Sequence, residues 1–204
     1  MFKQRNIYII HNLNNMKNFV LIFAAILLSV TVWATDDHKE VKTINTENSS
    51  VTWQGKKVTG THTGLISITE GSLEFDHGKL TGGNIVIDMT SITCTDLPAT
   101  PAGKLLGHLK SDDFFGVANF PTAELNITEV KKSDAGYTVT GNLTIKGISK
   151  PVTFDTAVTK SGATAQIVID RTDYDVKYGS GKFFDNLGDK TIYDDFTLDV
   201  NLAF

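Results

Sequence analysis

The sequence predicts an all-β fold, an antiparallel β-barrel of about eight strands with one short helical segment. Apolar and polar residues alternate with a period of two along most of the chain after residue 50, as in strands with one buried face. The connections are short, whereas parallel strands need long helical crossovers. A sandwich would also suit this pattern, but a barrel is favoured because a continuous meander removes its own edge strands by closing.

The first 34 residues have the pattern of a secretory signal peptide. Lys17 precedes the apolar run FVLIFAAILLSVTVWA, and Val32 and Ala34 have the spacing of a cleavage site. The run is shorter than the roughly 20 residues that a membrane-spanning helix needs. We therefore predict Met16 as the true start, export to the periplasm, and no stable membrane insertion after cleavage. A longer leader or a retained amino-terminal anchor is the alternative.

The charge balance argues against a nucleic acid partner. Without residues 1–34, the basic residues fall from 19 to 16 against 23 acids, which leaves a net charge of −7. Nucleic acid affinity depends on Lys and Arg neutralising phosphates. Cys94 is the only cysteine, so no internal disulfide can form, and the thiol leaves a homodimer open.

The elements follow in order from residue 35. Residues 35–48 are polar and lack a period, which predicts a flexible leader to a barrel domain at 49–204. The first strand has Val51 and Trp53 on one face. The later strands are predicted at Leu65, or Ile66 and Ile68 in the opposite phase; Leu73 and Phe75; Ile85, Ile87 and Met89; Ala123, Leu125 and Ile127; Tyr137, Val139, Gly141, Leu143 and Ile145; Val152 and Phe154; Ala165, Ile167 and Ile169; and Phe196, Leu198, Val200, Leu202 and Phe204.

The helical segment covers residues 103–116 and is predicted as two short pieces. Leu105, Leu106 and Leu109 fall on one side of the first piece. Ser111 stands at the N-cap position of the second piece, and acids in the next two positions complement the helix dipole. We expect this segment to cover one end of the barrel.

The sequence contains no motif for catalysis, metal or cofactor binding. It lacks a Gly-x-Ser-x-Gly nucleophile elbow, and its adjacent acids suit capping or solvation better than acid–base chemistry. The histidines after residue 34, His38, His62, His77 and His108, are scattered without a His-x-His or His-x3-His pair. We predict no catalytic residue, no metal site and no cofactor.

The segment HLKSDDFFGVANFP, followed by GNLTIKGISKPVTF and IDRTDY, resembles the YceI-like family of secreted, lipocalin-like bacterial proteins. The resemblance covers residues 50–204, and residues 177–204 resemble a variant common in Bacteroidetes-type bacteria. The stretch TDLPATP at 95–101 departs from the family. The matching positions are His108, Leu109, Lys110, Ser111, Asp113, Phe114, Phe115 and Val117, and then Arg171, Asp173 and Tyr174.

The resemblance implies a non-enzymatic periplasmic carrier of a long-chain apolar lipid, such as a polyisoprenoid or a fatty-acyl chain. The alternative is a stress-related structural or interaction module with a filled barrel. An error of one residue in the strand phase would exchange the inward row for the outward row. The predicted ligand-binding residues are Trp53, Ile85, Ile87, Met89, Phe114, Phe115, Leu125, Ile127, Val139 and Leu143.

Two polar residues are candidates for contact with a lipid headgroup, namely His108 and Arg171. Each also has a structural interpretation. His108 would hydrogen-bond the backbone at the barrel mouth, and Arg171 would form an ion pair with Asp173 that locks neighbouring strands.

Overall fold

Eight antiparallel strands form a meander that closes on itself as a barrel. The computed structural model describes residues 38–204. The predicted signal peptide at 1–34 and the predicted start at Met16 lie outside the described residues. The strands are β1 Lys39–Thr43, β2 Ser50–Lys57, β3 Gly60–Asp76, β4 Lys79–Asp88, β5 Thr122–Ser133, β6 Gly136–Ile145, β7 Ile148–Val158, β8 Gly162–Asp170 and β9 Ile192–Ala203.

The pairing of the strands confirms the predicted barrel. Each strand from β2 to β9 pairs with the next, and β9 pairs back with β2. The β3–β4 and β6–β7 hairpins have two-residue turns, 77–78 and 146–147, in which both residues have positive φ. That conformation is the type I′ turn, whose twist matches the twist of the two strands.

The prediction of a flexible leader at 35–48 is wrong for Lys39–Thr43. These residues form β1, which pairs antiparallel with residues 72–76 of β3. Four of the five side chains in β1 are exposed, so the strand has no period-two apolar pattern. Backbone hydrogen bonds to an existing strand hold it in place.

The burial pattern determines which strand face points inward. Ile66 and Ile68 are buried, whereas Leu65 is 47% exposed, so the second of the two predicted phases is correct. Val51 and Trp53 are buried on the same inner face of β2. Along β4 to β9, the inner positions are the alternating apolar positions of the sequence.

The helical segment differs from its prediction at both ends. The helix α1 covers Ala99–Lys110, so it begins before residue 103, and Pro98 is its N-cap. Pro101 lies in its first turn, where a backbone N–H has no partner within the helix and a proline is therefore tolerated. Ser111 is the C-cap, and its hydroxyl donates to the carbonyl of His108 at 2.7 Å. The predicted second piece is a set of turns ending at Gly116, whose positive φ stops helical continuation.

Three 3₁₀ turns complete the described chain, at Met89–Ser91, Arg171–Tyr174 and Gly188–Lys190. Within residues 38–204, none of the helices has the length and apolar character needed to cross a lipid bilayer.

Candidate functional site

The barrel interior contains two adjoining apolar cavities. The first has a volume of about 170 Å³ and lies at the α1 end. The second has a volume of about 80 Å³ and lies toward the opposite end. Both are lined by Val51, Ile87, Leu143, Ile169 and Leu198, so they adjoin inside the barrel, and we call the two together the channel.

All ten residues predicted to bind a ligand line this channel. That they contact a ligand stays a prediction, but the structure brings them together around one apolar space. Trp53, Met89, Phe114 and Phe115 line the first cavity, Ile85, Leu125, Ile127 and Val139 line the second, and Ile87 and Leu143 line both.

Other lining residues were not among the predicted ligand-binding set. Ten of them come from the helix α1 and from the strands β7 to β9. The sequence pattern could have identified the strand residues, because they belong to the same rows of alternating apolar residues that predict the strands. These residues are Leu105, Leu109, Val152, Phe154, Ala165, Ile167, Ile169, Phe196, Leu198 and Val200.

The first cavity reaches the protein surface where the ladder between β2 and β9 is broken. Gly55 pairs with Phe196, and Lys57 pairs with Ile192, so a single β2 residue faces three β9 residues. This β-bulge separates the two strands locally. The exposed residues Lys56, Lys57, Tyr193 and Asp195 border the cavity here, and we call these four residues the mouth.

Arg171 holds the bulged part of β9 from inside. Its side chain is 2% exposed and donates to the carbonyls of Ile192 at 3.0 Å and Tyr193 at 3.1 Å. It also donates to the carbonyl of Val176 at 2.6 Å and lies 3.5 Å from the Asp194 carboxylate. Burial lowers the pKa of Arg171, against the raising effect of that carboxylate. The bulge leaves carbonyls without ladder partners, and the guanidinium supplies donors for them.

These contacts correct the predicted ion pair between Arg171 and Asp173. The carboxylate within ion-pair distance belongs to Asp194. The strand-locking role of Arg171 is supported, although its partners are mainly backbone carbonyls. A headgroup contact by this side chain stays a prediction.

His108 extends from α1 to the first cavity. Its Nε2 atom is buried and has no hydrogen-bond partner within residues 38–204. Its ring centroid lies 4.5 Å from that of Tyr178 and 5.4 Å from that of Phe114. Buried polar atoms usually have a hydrogen-bond partner. Because His108 Nε2 has none among the described residues, it is available to form a hydrogen bond with a polar group in the cavity.

Asp96 anchors the segment between the first 3₁₀ turn and α1. Its carboxylate accepts hydrogen bonds from the Thr63 backbone at 3.0 Å, from His62 Nδ1 at 2.9 Å and from the Cys94 thiol at 3.2 Å. These bonds, the Thr63 bond foremost, lower the pKa of Asp96 to about 2. Burial raises the pKa of Cys94, which makes its thiol less reactive.

The site is an apolar cavity with charged and polar residues at its entrance. In the described part of the chain, no three His, Cys, Asp or Glu side chains lie together so that they could hold a metal ion. The lining is mainly aliphatic and aromatic. Its charged side chains lie in the first cavity, at the α1 end, and the polar residues of the second cavity are Thr156 and Thr164.

The chain is similar in sequence to several bacterial proteins. The family model of the YceI-like domain matches residues 43–204. A UPF0312 protein of Yersinia enterocolitica is 39% identical over 95 residues, 46% of each chain. A UPF0312 protein of Yersinia pestis is 38% identical over the same share. The chain thus spans about half the length of these curated relatives, and its resemblance to a Bacteroidetes-type variant stays a prediction.

The barrel is also similar to solved structures. BcnA of Burkholderia cenocepacia has a TM-score of 0.61 at 21% identity, covering 79% of this chain and 99% of that one. A structure from Saccharophagus degradans has a TM-score of 0.50 at 15% identity, covering 81% and 97%. It is described as a polyisoprenoid binding domain implicated in plant cell wall breakdown. At these identities the likeness shows the fold.

Proposed function

The chain belongs to the YceI-like domain family, and on that basis we propose that it binds and carries a long-chain apolar lipid inside its barrel. The lipid is of the polyisoprenoid or fatty-acyl type, and the protein holds it without chemical change. The observation that carries this proposal is the apolar channel that the two adjoining cavities form behind the mouth.

The energetics of apolar burial support a ligand without a charged anchor. Each buried methylene group contributes about 0.8 kcal/mol, so a chain that fills the channel gains affinity with length. A dry apolar cavity near 150 Å³ can hold a benzene-sized group, which is the scale of the first cavity. A longer chain would continue into the second cavity or leave through the mouth.

Two further observations support parts of the proposal. The description of the Saccharophagus degradans domain names a polyisoprenoid as the ligand class of a protein with this fold. The signal-like pattern of residues 1–34 supports action in the periplasm. The mainly apolar lining, in which the charged side chains are confined to the first cavity, supports binding over catalysis.

The test is solvent extraction of the protein purified from its own host, followed by mass spectrometry of the extract. We expect one long-chain lipid at a stoichiometric amount. An empty extract, together with no uptake of added isoprenoid, would contradict the proposal and favour a structural module without a lipid.

Two variants on β5 test whether the lipid binds inside the channel. Leu125→Asp places a carboxylate in the second cavity, and Asn126→Asp places one on the outer face of the same strand. We expect the first variant to lose the lipid and the second to retain it. Circular dichroism spectra establish that both are folded.

A further inference from the structure

Four large aromatic side chains are exposed at or beside the mouth, and one of them, Tyr193, is itself a mouth residue. Tyr178, Phe183 and Phe184 are each 49% exposed, and Tyr193 is 52% exposed. Val58, 50% exposed, follows the two mouth lysines in the chain. We call these five residues the aromatic rim.

Hydrogen bonds and ring contacts attach the aromatic rim to the mouth. The Ile192 N–H donates to the carbonyl of Gly179 at 2.8 Å, which ties the loop at 177–190 to the start of β9. The N–H groups of Phe183 and Phe184 donate to the carbonyl of Ser180, a fully buried residue. The two phenylalanines are therefore held by an ordered turn. On the inner side, the Tyr178 ring contacts His108, which lines the first cavity.

Two of the three lysines of the loop, Lys177 and Lys182, are paired with acids. Lys177 Nζ lies 2.6 Å from Asp175 Oδ1 and 5.2 Å from the centroid of the Phe183 ring. Lys182 Nζ lies 2.6 Å from Asp170 Oδ2. The other charges of the mouth and the loop balance, with Lys56, Lys57 and Lys190 against Asp185, Asp189 and Asp195.

We propose that the aromatic rim docks the barrel on a lipid bilayer with zwitterionic headgroups, so that the ligand passes between bilayer and channel at the mouth. This inference rests on the proposed lipid binding. Tyrosine and phenylalanine are residues that insert at the boundary between headgroups and acyl chains. Counted with the acids that pair with Lys177 and Lys182, the charges of the mouth and the loop sum to zero, so this surface lacks the net positive charge that attraction to anionic headgroups needs.

Docking at this place also removes a barrier to transfer. A long apolar chain that crosses water exposes each methylene at a cost of about 0.8 kcal/mol. An apolar surface around the mouth excludes water from the passage between the bilayer and the first cavity. The ligand class and the location of the rim therefore favour a bilayer over a protein as the partner.

The test is co-sedimentation of the protein from residue 35 onward with phosphatidylcholine vesicles. The shortened chain is used because the apolar run at 19–34 would itself bind vesicles, and residues 38–204 contain the whole closed barrel. We expect the double variant F183S/F184S to reduce vesicle partitioning at least about tenfold. The matched control Val168→Ser, which removes a 60% exposed apolar side chain from β8, should leave it unchanged.

Salt dependence gives the second measurement. Raising the salt from about 0.1 M to 1 M shortens the Debye length from roughly 10 Å to 3 Å and should not release the protein. Loss of vesicle binding in high salt would contradict docking through the aromatic rim. No vesicle binding by the wild type, or equal binding by F183S/F184S, would overturn the inference. If the wild type forms a dimer and does not bind vesicles, and F183S/F184S is a monomer, then the aromatic rim binds a second copy of the chain. That result would also overturn the inference.

Binding of farnesol, an isoprenoid alcohol dispersed without vesicles, separates this inference from the proposed function. We expect F183S/F184S to bind farnesol as the wild type does, because neither phenylalanine lines a cavity. If neither protein binds farnesol, the lipid-carrier proposal fails. If both bind farnesol but vesicle partitioning is equal, only the docking inference fails.

Discussion

Arg171 is a buried charged residue that supports the bulged part of the barrel wall. Its guanidinium donates to three backbone carbonyls, two of them in the bulged part of β9. The sequence indicates that a basic residue follows β8, but the bulge that needs its donors is formed by strands far apart in the chain. A role of this kind depends on strand register, which the alternation pattern alone does not determine.

Replacing Arg171 with Leu should destabilise the fold by about 3 kcal/mol or more, because buried carbonyls lose charged donors. The measurement is the free energy of unfolding from urea denaturation. Lys131→Leu is the control, since Lys131 forms only a surface ion pair with Glu129, and should change stability by less than about 1 kcal/mol. Equal effects of the two variants would contradict the role assigned to Arg171.

Asp96 makes stability depend on pH in the acid range. Its pKa is about 2 in the folded protein against an ordinary value of 3.8. Because the folded pKa is the lower one, the stabilisation is complete above about pH 4 and is lost as the pH falls through about 2. The substitution Asp96→Asn removes this stabilisation at every pH.

The urea midpoints of wild type and Asp96→Asn should therefore differ at pH 7 and converge between about pH 4 and pH 2. Asp134→Asn, in the exposed turn between β5 and β6, serves as the control and should follow the wild type throughout. A difference between wild type and Asp96→Asn that stays constant down to pH 2 would contradict this account.

At the scale of elements, the long strand β3 has one close contact with the segment after β4, between Gly64 and the Thr93 carbonyl. A Cβ atom at Gly64 would lie 1.8 Å from the Thr93 carbonyl oxygen and 2.8 Å from Trp53 Nε1. Trp53 donates to that same carbonyl at 2.9 Å, so the three groups pack as a unit. Only glycine allows the segment after β4 to lie this close to β3.

Gly64→Ala should destabilise the protein by more than about 2 kcal/mol, because the clash involves backbone atoms. Gly60→Ala, on the same strand with open space around it, should be close to neutral. Thermal unfolding followed by circular dichroism measures both. A stable Gly64→Ala variant with unchanged Trp53 fluorescence would show that the close approach is not needed.

The elements that the sequence predicts are those with a strong periodic signal. The inner rows of β4 to β6 follow directly from Ile85, Ile87, Leu125 and Leu143. The strand β1 was missed because pairing with β3, not a periodic pattern, holds it. The start of α1 was misplaced because the proline at its N-terminus is compatible with both a loop and a first helical turn.

At the scale of the whole molecule, the candidate site is partly visible in the sequence. The apolar rows predict a channel, and all ten predicted residues line it. The mouth could not be predicted, because it results from a register shift between β2 and β9, strands at opposite ends of the described chain. The ligand class rests on the family and the channel together.

The central claim is that a lipid chain occupies the channel, and the fluorescence of Trp53 tests it most directly. Trp53 lines the first cavity, and it is the only tryptophan in the chain after residue 34. Titration with a long-chain isoprenoid should give a saturable, stoichiometric change in its emission. Ala123→Phe, which fills the first cavity, should abolish the change, whereas Ala157→Phe on the outer face of β7 should retain it. No saturable change in the wild type, or equal changes in both variants, would contradict the claim.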